Sequence, residues 1–509
     1  MNQPLSAYES LERSLTPEEL ENNSVFNPKL VFRPNSSLLP ELEALCKTFV
    51  DLLAKDPIPS GLTHPIACGP KRERISWRNI QTLFANLFLM KAKEKSTMSV
   101  SLNNNYYSDT PLSAGFINLV KLAAHPSRGY LVLKEGFRNP QNPKHSRLSR
   151  IATTRKFSDL VDSIVVNEDE IISEPHELIN LKRGRKGRRQ IVPPKEWLRE
   201  ITPHSRKQLG QLKSNLLLWN HTLRQFEFSY REKGKGETRY LYPALYAVFT
   251  NDFHSGGRLY TGRGGHQQLS KRERSTIEIN GQSTVELDFG GLHLRMMYHL
   301  IGREYPLDSD PYTDVLDAAG LNAREVEAEY PQIRNDLKKM LLAMINDKAD
   351  DPEQILFRAN RRLFECWLSK RFRKSKEARD KAFEACQDRI ERWTSIGLVS
   401  GRRGAKPSAS RIIKAFRKAH EPIREEFSQG RGLDLQNLDA QIAWRVLERI
   451  GQMSLGAIPC LPVHDSFITF EDCSELLQNV MQACYREVMQ ENVGLKREFP
   501  IPVKSNKTK

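Results

Sequence analysis

Two aspartates of this 509-residue chain stand where an acid would project from the edge of a sheet. Asp288 nearly closes the segment Ser283-Thr284-Val285-Glu286-Leu287-Asp288-Phe289, which reads as a strand. Gly290-Gly291 then turns it directly into the apolar-faced helix pattern of Leu292 to Met297. Asp465 lies within Ala457 to Phe470, where two apolar runs flank His464-Asp465 as the arms of a tight hairpin would. Two carboxylates brought together from different strands are what nucleotidyl transfer requires. Two magnesium ions about 4 Å apart activate the attacking hydroxyl and steady the leaving oxygen of an in-line displacement. Magnesium takes hard oxygen ligands and keeps waters and substrate phosphates as its remaining partners.

Between the two acids, Arg334, Lys338, Leu342 and Asn346 recur every four residues and so share one helical face. That face presents two cations, an apolar platform and a polar tip. An arginine can fork onto a triphosphate, and a lysine can neutralise and protonate the departing pyrophosphate; both tasks need positive charge at the leaving group. The platform at Leu342 would stack under a base. Taken singly, each residue has a plainer reading. Asp288 suits the N-cap of the following helix. Arg334 and Lys338 suit a solvated helix face, His464 a core histidine and His293 an ordinary helix surface.

In their order along the chain, these segments resemble motifs A, B and C of the superfamily that joins family-A DNA polymerases to single-subunit, phage-type RNA polymerases. The shared features are an aspartate before a helix carrying an arginine, an Arg-x3-Lys-x3-apolar helix and a Val463-His464-Asp465 hairpin. Gly257-Arg258-Leu259-Tyr260 resembles the Gly-Arg motif that grips a strand near the active site. The segment from Leu435 to Arg445, with Gln436 at its start, resembles the helix that contacts the primer terminus. The resemblance covers residues 250 to 470. It implies that Asp288 and Asp465 hold two Mg2+ ions, that Arg334 and Lys338 bind a nucleoside triphosphate, and that Arg258, Gln436 and His464 position the strand end.

The pattern also departs from that superfamily. His293 stands where the DNA polymerases carry a glutamate that excludes the ribose 2′-hydroxyl and where the RNA polymerases carry a small residue. Asn346 and Asp347 stand where both branches have Tyr-Gly. Ser466-Phe467 after Asp465, and Gly-Arg-x-Tyr, lean towards RNA synthesis. The compact spacing from Asp288 to Arg334 and from Lys338 to Asp465 leans towards DNA synthesis, which is the expectation adopted. A single-subunit RNA polymerase or primer-making enzyme remains open, as does a catalytically silent nucleic-acid-binding protein.

The elements that must position these residues are unevenly legible. Helical periodicity from Leu38 to Leu53 and from Ile75 to Met90 predicts a mainly helical accessory region over residues 1–180, with a strand or buried turn at Asp162 to Ile172. Lys182 to Arg189 contains no acid and is followed by Pro193-Pro194, which reads as a linker or backbone-gripping arm. From Pro203 to Tyr230 the apolar pattern of Leu209 to Phe226 reads as a long amphipathic helix or a helical pair, thumb-like within 181–240, leaving 241–509 for palm and fingers. The expected class is therefore α/β (α+β): a right-hand polymerase with a small antiparallel palm sheet, helical fingers and thumb. Arg358 to Arg373 interleaves six cations with Phe364, Trp367 and Phe372, and Arg402 to Lys418 adds more. This is the chemistry of a backbone-tracking, base-stacking surface, or else of solvated helices.

Lys+Arg 78 against Asp+Glu 62 gives a formal charge of +16, which favours a polyanionic partner: primer-template DNA or a DNA/RNA hybrid. The seven cysteines form no CxxC pair, so neither a zinc knuckle nor a disulfide framework is indicated. The N-terminus lacks a signal-peptide pattern, and no run approaches the roughly 20 apolar residues of a membrane span. The expectation is a cytoplasmic enzyme.

Overall fold

The computed structural model describes residues 23–505 apart from 35, 56, 63–75, 104–109, 111, 113–114, 137–147, 176, 185–189, 235, 347–390, 398–409 and 495–496. The chain divides into two compact units that interleave in sequence: Met1–Ile179, Pro193–Tyr246 and Tyr260–Ser283 in one, and Asn180–Val192, Ala247–Leu259 and Thr284–Lys509 in the other.

The first unit opens with β1 (Asn23–Val25), β2 (Leu30–Phe32), α1 (Leu39–Ala54), α2 (Trp77–Ala92), β3 (Thr97–Val100) and α3 (Gly115–Ala124). It continues with β4 (Leu131–Lys134), β5 (Ser149–Thr153), α4 (Arg155–Val161) and β6 (Ile171–Ser173). Both expected helices form within two residues of their predicted bounds, the second capped by the Ser76 hydroxyl, which accepts from the Asn79 amide. Their inward residues Leu42, Phe49, Leu83 and Phe84 are fully buried with Phe116 and Leu119 of α3, and Phe49 meets Phe84 edge-on with ring centroids 5.0 Å apart. The region does not consist of helices alone, however. A four-stranded sheet runs β1-β3-β5-β4, with β1 parallel to β3, and β2 pairs with β6. Strands of three to five residues are too short to display a period of two, so the sequence does not reveal them. Ile164 to Val166 lie in irregular chain, and only Ile171 and Ile172 of that segment enter a strand.

Next come β7 (Ile179–Arg183) and β8 (Gln190–Val192), paired with Leu181 opposite Val192. Lys182 and Arg183 of the basic run therefore sit on a strand, and its residues 185–189 lie outside the described residues. Helix α5 (Pro203–Leu223) is capped by Thr202 and ends earlier than expected. Phe228 to Arg231 form β9, which pairs with β10 (Thr238–Tyr240) and, further along the chain, with β13 (Glu278–Ile279). Between those two strands lie β11 (Leu245–Thr250) and β12 (Asp252–Thr261), in a sheet ordered β12-β11-β7-β8. Strand β14 (Gln282–Phe289) follows β13.

The second unit is completed by α6 (Leu292–Leu300), α7 (Ile333–Asn346), α8 (Ser410–Ala419), α9 (Gly432–Ser454), β15 (Leu461–Val463), β16 (Ser466–Phe470), α10 (Ser474–Val493) and β17 (Val503–Ser505). β16 pairs antiparallel with both β15 and β14, and β17 pairs antiparallel with β14. Helices α6 and α9 both pack on α10, burying Met296, Val446, Met481 and Tyr485. The fold is mixed α/β with antiparallel sheets and many helices. Among the described residues no helix is long and apolar enough to cross a membrane.

Candidate active site

Antiparallel register decides where the two aspartates meet. β14 pairs with β16 so that Asp288 stands opposite Ser466, the residue directly after Asp465. The Phe289 amide donates to the Asp465 carbonyl at 3.3 Å, tying the end of β14 to the turn. That turn is two residues long, and His464 occupies it with φ +59°, a left-handed conformation histidine tolerates better than most residues. His464 is exposed, so it is not a core histidine. Asp288 is not a helix cap either: the residue before α6 is Gly291, at φ +70°. Both carboxylates are half-buried at the same end of the sheet. Below them the Ser466 hydroxyl donates to Glu286 at 2.7 Å, which keeps the buried Glu286 side chain satisfied.

A loop the sequence reading did not single out completes this corner. Tyr312 is buried, and its phenol is held above its ordinary pKa: burial is the main cause, Arg334 opposes it, and the negative charges of Asp465, Asp310 and Asp288 add to it. One phenol thus feels both predicted carboxylates, a third carboxylate and the predicted triphosphate-binding arginine. Arg334 Nε donates to Asp310 Oδ2 at 2.6 Å, and its guanidinium lies 4.9 Å from the Tyr312 ring centroid. Arg334 is therefore already ion-paired, although its side chain stays half-exposed.

Two buried side chains hold that loop in place. Arg295, the arginine of α6, donates to the carbonyls of Gly290, Tyr305 and Pro306 at 2.9, 2.7 and 2.9 Å. His420 Nε2 lies 2.9 Å from the Pro311 carbonyl, and its Nδ1 lies 3.2 Å from the Tyr298 hydroxyl. A carbonyl only accepts, so these partners assign the proton to Nε2 and leave Nδ1 to accept from the tyrosine. Gly291 is required here: a Cβ would meet Pro311 Cγ at 2.8 Å, on a backbone already at positive φ.

Along α7, Arg334, Lys338 and Leu342 are half-buried and Asn346 is exposed, while Leu337, Met340, Leu341 and Met344 face inward. The helix is anchored on its other side by buried Asp336, which accepts from the Tyr330 hydroxyl and from Trp393 Nε1. Asn346 turns its amide back onto the Leu342 carbonyl at 2.7 Å, closing the end of the helix. Asp347 lies outside the described residues, as do Arg358 to Arg373 and Arg402, Arg403 and Lys406. The rest of that basic segment is on α8, which exposes Arg411, Lys414 and Lys418 and buries Ile412, Ile413 and Phe416.

Arg258 and His293, expected to touch the strand and the sugar, lie together. Arg258 Nη2 is 3.1 Å from His293 Nε2, and Arg258 Nε donates to Asp439 Oδ2 at 2.6 Å. Asp439, on α9, was not singled out in the sequence. Burial pushes its carboxyl up in pKa, but the Arg258 guanidinium and the contact with His293 more than offset this and hold it below the usual carboxylate range. Strand β12 is docked on α9 by the Asn437 amide, which donates to the Gly256 carbonyl at 3.1 Å. Gly257, at φ +89°, makes room there, since a Cβ would meet Phe249 at 2.8 Å and Trp444 at 3.0 Å. Gln436 is half-buried in the second turn of α9, which begins at Gly432 rather than at the glutamine.

Among the described residues no group of three His, Cys, Asp or Glu side chains is assembled as a metal cluster. A pair of half-exposed carboxylates whose remaining ligands are water and phosphate oxygen is nevertheless a set that magnesium accepts, whereas zinc would want nitrogen or sulfur donors.

No protein-family model matches the chain, and no curated protein matches it. Among solved structures, the POL domain of Pol1 from M. smegmatis, in complex with DNA primer-template and dNTP, matches at 13% identity and a TM-score of 0.28. The match covers 92% of this chain and 66% of that one, so the chain spans somewhat less than two thirds of that protein's length. At that score the likeness decides neither fold nor activity.

Proposed function

We propose that this chain is a template-directed nucleic-acid polymerase, a nucleotidyltransferase in which Asp288 and Asp465 hold two magnesium ions. The observation that carries the reading is the register of β14 against β16, which brings two acids 177 positions apart in sequence to one sheet end. When bound, the magnesium ions would lower the pKa of the attacking 3′-hydroxyl and balance charge on the phosphates. The residues of the chain do the rest. Arg334 and Lys338 on α7 bind the triphosphate and neutralise the departing pyrophosphate. Leu342 supports the incoming base. Arg258, Gln436 and exposed His464 position the strand end, and His293 faces the incoming sugar. DNA synthesis is the favoured reaction. RNA or primer synthesis is the second reading, favoured by the absence of an acidic side chain at residue 293.

Primer extension with purified protein, a primed DNA template and either deoxyribonucleotides or ribonucleotides tests this. We expect magnesium-dependent incorporation, preferentially of deoxyribonucleotides, and a roughly 100- to 1,000-fold loss in kcat for Asp288→Asn or Asp465→Asn. Unchanged extension by Asp465→Asn would exclude the mechanism, and preference for ribonucleotides would select the second reading. No incorporation under any condition would leave a nucleic-acid-binding protein.

A further inference from the structure

Asp439 is a deeply buried acid joined to two less buried partners: its side chain is 3% exposed, against 18% for Arg258 and 16% for His293. A carboxylate that deep is costly unless paired, and a buried ion pair is often no more stabilising than apolar side chains of the same volume. Helix α9 does not need it for packing, since Leu435, Ala440, Ile442 and Ala443 already fill the same stretch. What the carboxylate does is geometric. Its Oδ2 receives Arg258 Nε at 2.6 Å and lies 3.9 Å from His293 Nε2. The two cationic or cation-forming groups reach the surface, and the acid that joins them does not. Three elements, β12, α6 and α9, thereby share one buried oxygen.

We propose that Asp439 is a positioning residue that sets Arg258 and His293 as one unit, so that the grip on the nucleic-acid strand and the contact with the incoming sugar are not independent. This rests on the polymerase reading for the roles of Arg258 and His293, but not for their coupling. A guanidinium fixed through Nε cannot rotate about its own stem without breaking the pair, and His293 is placed by the same guanidinium. Loss of the carboxylate releases both.

The test uses the full chain and a fluorescently labelled primed DNA hairpin, with affinity read by anisotropy and incorporation of deoxyribonucleotides and ribonucleotides read separately. Asp439→Asn is expected to weaken hairpin binding about tenfold, and to shift the ratio of the two sugars in the same direction as His293→Ala. Its kcat with the better sugar falls less than hairpin affinity does. Because Arg258→Ala removes the same contact, the double variant Arg258→Ala/Asp439→Asn should bind the hairpin no worse than Arg258→Ala alone. Penalties that multiply, or a sugar ratio untouched by Asp439→Asn, overturn the proposal. If Asp439→Asn does not fold, judged by its melting curve, the pair Arg258→Ala and His293→Ala serves instead. Coupled groups give a combined effect smaller than the product, and independent groups give the product. A wild type that binds the hairpin but does not extend it overturns the polymerase reading and still tests the coupling through affinity. A wild type that does not bind the hairpin overturns both.

Discussion

Arg334 reaches Asp310 at 2.6 Å in a half-exposed ion pair, so a triphosphate arriving at α7 competes with a carboxylate already in place. Such a pair is worth about 1 kcal/mol or less, because water screens it and two flexible side chains must be ordered to make it. Phosphate offers Arg334 a stronger, two-point partner. Asp310→Asn should therefore lower the KM for the nucleotide by up to about fivefold in steady-state extension. A raised KM would show that Asp310 holds Arg334 in its productive place instead of competing for it. At this scale the sequence identified the acids and cations by type. It did not reveal Asp310, Tyr312 or Asp439, because nothing in Asp308-Ser309-Asp310-Pro311-Tyr312 distinguishes a site loop from an ordinary turn.

Among the elements, the loop ahead of residue 314 is fixed by His420, and α6 is fixed to α10 through His299, whose Nδ1 lies 2.8 Å from the Tyr485 hydroxyl. Burial lowers both imidazoles from the ordinary 6.5 to about 4; nearby Arg295 and Arg497 add to the shift for His299, and the bond to the Pro311 carbonyl partly opposes it for His420. A base whose folded pKa lies below its unfolded value takes up fewer protons folded than unfolded in the interval between them. The contribution to stability is thus intact above about pH 6.5 and lost as pH falls towards about 4. The melting temperature should drop across that window. His420→Gln, which can still donate to the Pro311 carbonyl but cannot become charged, should make the drop shallower. An equal drop in the variant would assign the acid sensitivity to other groups. Helices α1, α2, α5 and α7 were readable because their apolar residues repeat over several turns. The strands of the first unit were not, because three to five residues give no repeat.

For the whole molecule, a formal +16 governs encounter more than fold. Each phosphate neutralised by lysine or arginine releases counterions, so the log of affinity for primed duplex should fall linearly with log salt, by about 0.9 per contact. Anisotropy titrations from low to moderate salt measure the slope. A value of several units is expected, and a flat dependence would remove backbone contact as the source of binding.

By itself the sequence determined the kinds of chemistry available: hard oxygen ligands at the ends of two apolar runs, cations at helical spacing, and excess positive charge. Those are local properties, written in residue type and period. The tertiary structure alone decided which of these groups share a corner. The register of β14 on β16 puts Asp288 beside Asp465, and a one-residue slip would have turned Asp288 to the other face of the sheet. The carbonyl contacts of Arg295 and His420 bring Asp310 and Tyr312 to them, and the burial of Asp439 joins Arg258 to His293. Each of these depends on contacts between residues distant in sequence, which no local pattern encodes.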